Sequence, residues 1–370
     1  MKRLLWLPVF AVIGTIWSFG GDISATNLQQ WGLKNRHWLP LSTVGEWLYD
    51  RECAACHSDP ASKAPNLAAL SMMSREAIMK TLTLGKMQAI TSHLSKTEKG
   101  LITWYLAGEE PDDSAWLAQH RCQQSVAIPQ RMPSTANWGF GLDNQRYIAQ
   151  TNITASNVQH LSLAWTLALP RVASLRSQPV VWGDRLYVAD QVGRVLMLDR
   201  QQGCILKVSK VDTAVRSALS IVQRNDRSLL VFADSLAVIH AVDAHSLEPV
   251  WQQSVALFES SVVSGSPAAF EGSLYVPVSS YEVALAGQDN YPCCQSHGGV
   301  VALDLDGGQE LWRWHATDDA EPQGVNKSGT PQFGPSGASV WTTPAIDAVR
   351  RRLYIGTGQN NSLPATDTSD

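Results

Sequence analysis

Apolar and polar positions divide the chain into stretches of different periodicity. Lys2-Arg3 precede an apolar run from Leu4 to Phe19, broken only by Pro8, Gly14, Thr15 and Ser18, and small residues Ser24-Ala25 follow. The run is shorter than the ~20 residues of a membrane span. Its positive flank and small-residue exit have the form of a secretory signal peptide over 1–25, with an uncleaved anchor as the alternative. Between Leu41 and Gly108 apolar residues recur at helical spacing. Gly45 to Arg51 predicts one helix, with Trp47 and Leu48 on its apolar side. Ser74 to Leu82 predicts a second, with Ser74 as N-cap, Glu76 in the first turn and Gly85 past its end. Ser95-Lys96-Thr97-Glu98 has the form of a capping box opening a third, packed through Leu101, Ile102, Trp104, Tyr105 and Leu106. From Trp138 onward the pattern becomes short alternating strands separated by Gly, Asp and Asn. The expected layout is an all-α domain over 41–108, a linker over 109–136 and an all-β domain over 137–370.

The β stretch repeats itself at the spacing of propeller blades. Ser177-Gln178-Pro179-Val180, Ser266-Pro267-Ala268 and Thr343-Pro344-Ala345 each lead through a turn into a strand: Leu186-Tyr187-Val188, Leu274-Tyr275-Val276 and Leu353-Tyr354-Ile355. An element ending in aspartate follows at Leu198-Asp199, Val242-Asp243 and Leu303-Asp304, and a tryptophan strand at Val250-Trp251 and Leu311-Trp312, with Trp165 ending an earlier unit. One repeat lacks the Ser/Thr-Pro opening, and Cys204-Ile205-Leu206 stands where its predecessor's tryptophan is expected. Such a sheet cannot bury both faces alone, so the repeated Trp and Asp are read as blade packing and turn capping. This explains why Trp, at 14, outnumbers both Phe at 7 and Tyr at 8.

Composition adds little beyond this. With 370 residues, 44% hydrophobic, the chain can fold as several domains, and no later segment is long and apolar enough to span a bilayer. A net charge of −4 without a basic stripe argues against a nucleic-acid partner. Membrane association is expected only through an uncleaved N-terminus.

Chemistry enters at Cys53-Ala54-Ala55-Cys56-His57. Two thiols three residues apart on a helical turn can form thioethers with both vinyl groups of one porphyrin, and the next histidine then ligates the iron. A buried cysteine pair beside an incidental histidine is the bland alternative, and the export signal weighs against it. The helices around the motif match a small class I cytochrome c. Met87, in the loop between the second and third helices, is the preferred sixth ligand. Met72, Met73 and Met79 are rivals, and His93 is the imidazole alternative.

Behind the haem motif come Asn137-Trp138-Gly139-Phe140-Gly141, Tyr291-Pro292-Cys293-Cys294, the segment Gly334 to Trp341, Gly356-Thr357-Gly358 and Pro364 to Asp370. In this order they resemble the tryptophan-docked propellers of quinoprotein alcohol dehydrogenases, and with the leading cytochrome domain the polyvinyl alcohol dehydrogenase group of quinohaemoproteins. The implied fold is a class I cytochrome c domain followed by an all-β propeller, with about half of eight blades present. The resemblance implies a periplasmic dehydrogenase. Pyrroloquinoline quinone and calcium would serve oxidation of secondary alcohols, polyvinyl alcohol among them, and electrons would pass to haem c and a downstream periplasmic acceptor.

By the same resemblance Trp341 stacks under the quinone, and Cys293-Cys294 form a vicinal disulfide against it, the alternative being free or separately paired thiols. Arg216 would pair a quinone carboxylate or else make a surface salt bridge. Glu282 stands at a calcium-ligand position or is an ordinary loop carboxylate. Gln359, with Asn360 and Asn361 next, offers amide oxygens to the same ion. Cys122 and Cys204 would complete an even set by pairing. About four repeats are expected between Asn137 and Asp370, against eight in the family. The general-base aspartate is therefore expected beyond Asp370, and the chain is read as a fragment or a truncated gene. Competing readings are a non-enzymatic propeller scaffold fused to a cytochrome and a simple electron carrier. Adjacent cysteines, Trp341 and Glu282 favour the enzyme, since a scaffold needs none of them.

Overall fold

The computed structural model describes residues 41–362, apart from 60–61, 63, 72, 74, 84–86, 108–112, 124–133, 136, 149–150, 173, 212, 225–226 and 290. The expected signal peptide, Met72, Ser74, Gly85 and the closing Pro364–Asp370 segment lie outside the described residues.

The first unit is helical: α1 (Leu41–Glu52), α2 (Ala54–His57), α3 (Leu67–Leu70), α4 (Arg75–Thr83) and α5 (Lys96–Ala107). Three helices are expected from the sequence; α2 and α3 are single turns too short to show a period. The capping box is present, with Ser95 N and Oγ donating to Glu98 Oε2 at 2.9 and 2.8 Å and Glu98 N donating to Ser95 Oγ at 3.2 Å. Leu48, Tyr49, Ile78, Leu82, Ile102 and Leu106 form the core of this unit.

Three antiparallel sheets follow. The first joins β1 (Ser134–Thr135), β2 (Val180–Trp182), β3 (Arg185–Ala189), β4 (Arg194–Asp199) and β5 (Ile205–Lys210) in chain order. The second joins β6 (Ser220–Arg224), β7 (Arg227–Ala233), β8 (Val238–Asp243) and β9 (Pro249–Ser254). The third runs β10 (Ser261–Val262), β12 (Ser273–Ser280), β13 (Gly299–Asp304), β14 (Glu310–His315), with β11 (Ala268–Phe270) also on β12. Two hairpins follow among the described residues, β15 (Glu321–Val325) with β16 (Pro331–Gly334) and β17 (Ala345–Asp347) with β18 (Arg352–Tyr354). The fourth expected repeat is thus represented, among the described residues, by the hairpin β17–β18. Apolar side chains from facing sheets interdigitate, Tyr187, Met197, Leu230 and Phe232 in one layer and Val231, Ile239, Val276 and Val301 in the next.

Each sheet turns the same way before its outer strand. The register shifts by one residue at Met197/Leu198, Ala241/Val242 and Ala302/Leu303. The aspartate just beyond then caps the turn. Asp199 Oδ1 accepts from Gln201 N and Gln202 N at 2.9 and 2.7 Å, Asp243 Oδ1 from His245 N and Ser246 N at 3.0 and 2.8 Å, and Asp304 Oδ1 from Asp306 N and Gly307 N at 3.0 and 2.9 Å. The tryptophan of the preceding unit docks on that turn. Trp165 Nε1 donates to Arg200 O and Trp251 Nε1 to Leu305 O, both at 3.0 Å. Their rings lie on Gly203 and Gly308, where a Cβ would come within 2.3 and 2.5 Å of the indole and φ is +71° and +73°. The middle turn shows the converse. By register Lys207 stands where Trp251 and Trp312 stand in the other sheets, and with no indole on the turn Leu247 occupies it at φ 61°, packed in the same cluster as Leu206.

The Ser/Thr of the repeat openings stitch neighbouring sheets together. Ser177 Oγ donates to Ser217 O at 2.7 Å, Ala218 N to Ser266 Oγ at 2.8 Å and Ser266 N to Thr343 Oγ1 at 3.0 Å.

The segment read as a linker is docked. Helix α6 (Ser114–His120) packs Trp116 and Leu117 onto Val188, Leu196, Leu198 and Ile205 of the first sheet. Asp113 pairs with Arg171 and with Arg194, each at 2.9 Å, and Arg194 is only 3% exposed. Cys122 is disulfide-bonded to Cys204, and β1 places the start of the β region inside the expected linker. Docking by a short helix leaves no periodic signal, so the sequence pattern misses it. Among the described residues no helix is long and apolar enough to cross a membrane.

Gly308→Ala tests the docking. It should cost about 2–4 kcal/mol, from the left-handed backbone and the collision with Trp251. Urea unfolding followed by tryptophan fluorescence would show it as a lower midpoint; an unchanged midpoint would remove the indole from this turn.

Candidate cofactor sites

The first site lies in the helical unit. Cys53 follows α1 directly, and the turn of α2 is closed by His57 N donating to Cys53 O at 3.0 Å, so both thiols and the imidazole leave one short helical segment. Both cysteines are free, Cys53 half-buried and Cys56 exposed. Burial, with the Glu52 charge adding, pushes the Cys53 thiol up to about 11. His57 Nδ1 lies 2.6 Å from Pro65 O. With Nδ1–H donating there, the Nε2 lone pair is left for a metal, the usual way a ligating histidine is oriented. These groups fit a covalently held haem.

Of the candidate sixth ligands, Met87 and Met73 pack half-buried on the same cluster as Cys53 and Ala54. Met79 instead lies toward Gly100, its Cε 3.8 Å from where that residue's Cβ would stand. His93 Nε2 pairs with Glu52 Oε2 at 3.0 Å on the surface.

The second site is built where loops leave the third sheet and the last hairpins. Cys293 and Cys294 are disulfide-bonded to each other and 2% and 0% exposed. Phe333 N donates to Cys293 O at 2.8 Å, Gly337 N to Ser296 O at 2.9 Å, Ala338 N to Gln359 O at 2.9 Å and Asn361 N to Ser336 O at 3.2 Å. The residues 291–298, 332–341 and 358–362 therefore cross-link as one layer. Gly337, at φ +91°, is needed because a Cβ there would sit 2.5 Å from Gln359 O. Trp341 presents its ring to solvent, 59% exposed. Arg216 is half-buried and makes no hydrogen bond or ion pair with a described residue. Its neighbourhood joins that of Trp341 through Ala218, Ser266 and Thr343. An open indole and an unpaired guanidinium fit a flat, multiply charged anion such as the quinone.

Calcium fits these residues less well. Glu282, 4% exposed, already accepts from Tyr291 Oη at 2.9 Å, Gln295 N at 3.0 Å and Ser296 N at 2.6 Å. The amides of Gln359 and Asn360 are exposed, and Asn360 Oδ1 accepts from Ser362 N at 2.8 Å. Asn361 is different: its Nδ2 is buried without a partner among the described residues, and its backbone oxygen lies 3.6 Å from Cys293 Sγ. Rotated end for end, that amide offers a hard cation one of the six to eight oxygens it needs.

Sequence reasoning passed over two residues that matter here. Pro65 carries no pattern beyond its distance from the CxxCH motif. Lys80 of α4 donates to Ser235 O and lies 4.6 Å from the Tyr281 ring. Burial pushes its ammonium down to about 8, opposed by the Asp234 charge. Tyr281 precedes Glu282, and Ser235 N donates to Ala214 O at 2.8 Å, two residues before Arg216. Lys80 thereby sets the helical unit against the loops of the second site.

Comparison with known proteins places the β region in a family. Residues 136–363 match the family described as PQQ glucose/ethanol/alcohol dehydrogenase, beta-propeller domain. A polyvinylalcohol dehydrogenase of Pseudomonas sp is 29% identical over 100% of this chain, and one of Sphingopyxis sp. (strain 113P3) is 27% identical over 96%. The chain spans 58% of the length of each. The crystal structure of quinohemoprotein alcohol dehydrogenase from Comamonas testosteroni superposes on 68% of this chain and 38% of its own, at 19% identity and a TM-score of 0.47. With its stacked antiparallel sheets, docked indoles and a family match over most of its length, the chain belongs to the PQQ-type glucose/ethanol/alcohol dehydrogenase β-propeller family.

Proposed function

We propose that the chain is part of a periplasmic quinohaemoprotein dehydrogenase that oxidises secondary alcohols, polyvinyl alcohol among them, and passes the electrons through haem c to a downstream periplasmic acceptor. The observation that carries this reading is Lys80. It holds the CxxCH-bearing unit against Tyr281 and the Asp234–Ser235 turn, beside the loops with the disulfide, Glu282 and Arg216. A scaffold would need neither an unpaired Arg216 nor an oriented His57. The export reading rests on the N-terminal pattern, and a periplasmic setting suits both covalent haem attachment and the Cys122–Cys204 disulfide.

Cys53 and Cys56 would hold the porphyrin, His57 would ligate its iron from one side, and Met87 from the other. Trp341 would support the quinone ring, Arg216 would neutralise one of its carboxylates, and Cys293–Cys294 would form a rigid wall beside it. A calcium ion is proposed with the quinone, held through side-chain amide oxygens at 359–361, with Asn361 the best placed. When bound, the quinone supplies a two-electron acceptor for the alcohol, and the haem relays electrons singly. The chain's own part is to hold both groups close and to keep charge paired in a partly buried place.

Four measurements test this. Protein made without haem and unfolded without reductant should release two thiols per chain, Cys53 and Cys56, and none once haem is attached. Loss of covalent haem should follow Cys53→Ala with Cys56→Ala, and haem that stayed attached would sink the motif. Trp341→Ala and Arg216→Gln should each weaken quinone binding about tenfold or more by equilibrium dialysis, the scale of one lost stacking or charge-assisted contact. Wild-type affinity in both would displace the quinone from this layer. Lys80→Gln should slow electron transfer from chemically reduced quinone to the haem several-fold in stopped flow, with haem content and quinone affinity unchanged; an unaltered rate would leave the lysine without a role in positioning the units.

A further inference from the structure

We infer that Glu282 is the clamp that positions the Cys293–Cys294 turn, and not a metal ligand. The assignment deepens the cofactor site proposed above and rests on that reading only for what lies against the disulfide. The clamp itself is a matter of this chain's own contacts.

Glu282 is 4% exposed. Its Oε1 accepts from Tyr291 Oη at 2.9 Å and Gln295 N at 3.2 Å. Its Oε2 accepts from Gln295 N at 3.0 Å, Ser296 N at 2.6 Å and the Ser296 hydroxyl. An ionised carboxylate has about four lone-pair sites, so this donor set fills it. Every donor turns a positive N–H or O–H end toward the oxygens. A calcium ion at 2.3–2.6 Å would need those same lone pairs and would face those same positive ends. The environment is one built for an anion.

The donors also bracket the disulfide. Tyr291 lies two residues before Cys293, and Gln295 and Ser296 directly follow Cys294, so one carboxylate holds both ends of the turn. Glu282 is itself fixed: its N donates to Ser280 Oγ at 3.1 Å, and its carbonyl accepts from Leu285 N and Ala286 N, both at 2.8 Å. Ser296 Oγ also lies 2.5 Å from Ser280 Oγ, where its lone pair accepts. Burial, then the Glu282 charge and the hydrogen bond to it, hold the Tyr291 phenol well above its usual range, so it stays a donor. A loop carboxylate with no task would stay in water, because burying its charge costs several kcal/mol unless it is fully partnered.

The test uses the full chain without quinone, so a protein that binds no quinone still gives an answer. Dithiothreitol reduces Cys293–Cys294 by thiolate attack on one sulfur, then ring closure of the reagent; both cysteines leave as thiols and the reagent as its cyclic disulfide. Alkylation and peptide mass spectrometry separate this pair from Cys122–Cys204. Glu282→Gln puts an amide N–H among donors and should speed native-state reduction about tenfold, the scale of a lost charge-assisted bond. Tyr291→Phe, a milder change that removes one donor and keeps the fold, should speed it several-fold. Calcium affinity, from titration with the metal alone, should stay within twofold of wild type in both. A wild-type reduction rate in Tyr291→Phe overturns the clamp, and so does loss of calcium binding in Glu282→Gln.

Discussion

The fold depends on burying both faces of each small sheet, and it meets that constraint at the turn before the outer strand. A one-residue register shift redirects the chain, an aspartate holds the exposed backbone amides, and an indole from the previous unit closes the top. Each part constrains the others. Trp165 and Trp251 bond to backbone carbonyls of the neighbouring turn, so a docked ring fixes the angle between adjacent sheets as well as covering them. The rings leave no space for a Cβ, which is why Gly203 and Gly308 occupy those turns. Where the ring is absent, Leu206 and Leu247 fill the same layer with aliphatic volume. Trp and Gly thus form a matched pair across the repeats rather than two separate preferences.

The cofactor layer follows from that rigidity. The loop between β12 and β13, the segment from β16 toward β17 and the residues after β18 lie backbone against backbone, joined by amide-to-carbonyl bonds. Side chains then have little freedom. The residue before the exposed Trp341 is anchored by Val340 N on Val278 O at 3.2 Å, and Cys293 is pinned by Phe333 N. A site of this kind is preorganised by main chain, with side chains adding charge and shape.

Much of this was legible in the sequence, and the parts that were not share a cause. The capping box of α5, the aspartate turns and the tryptophan positions each depend on contacts within a few residues or on a repeat, and both leave a pattern. The CxxCH motif is local in the same sense. The docking of α6, the Lys80 contact across 155 residues and the filling of Glu282 by the cysteine loop are long-range and occur once, so no periodicity announces them. Resemblance could suggest that Glu282 was special but not what it touched. The hairpin β15–β16 stands outside the three stacked sheets and carries none of the repeat's marks, so the pattern did not announce it.

The docked segment after α5 also has a kinetic meaning. Asp113 is held by two arginines of the first sheet's surroundings, and Ala107 ends the last helix of the helical unit. Six peptide steps separate them, a contour of at most ~22 Å. A tether that short holds the helical unit at an effective concentration in the millimolar range or above. A contact as small as that of Lys80, too weak to hold two free proteins together, gains from that concentration. Exchange between them becomes a matter of small excursions rather than of diffusion and recapture.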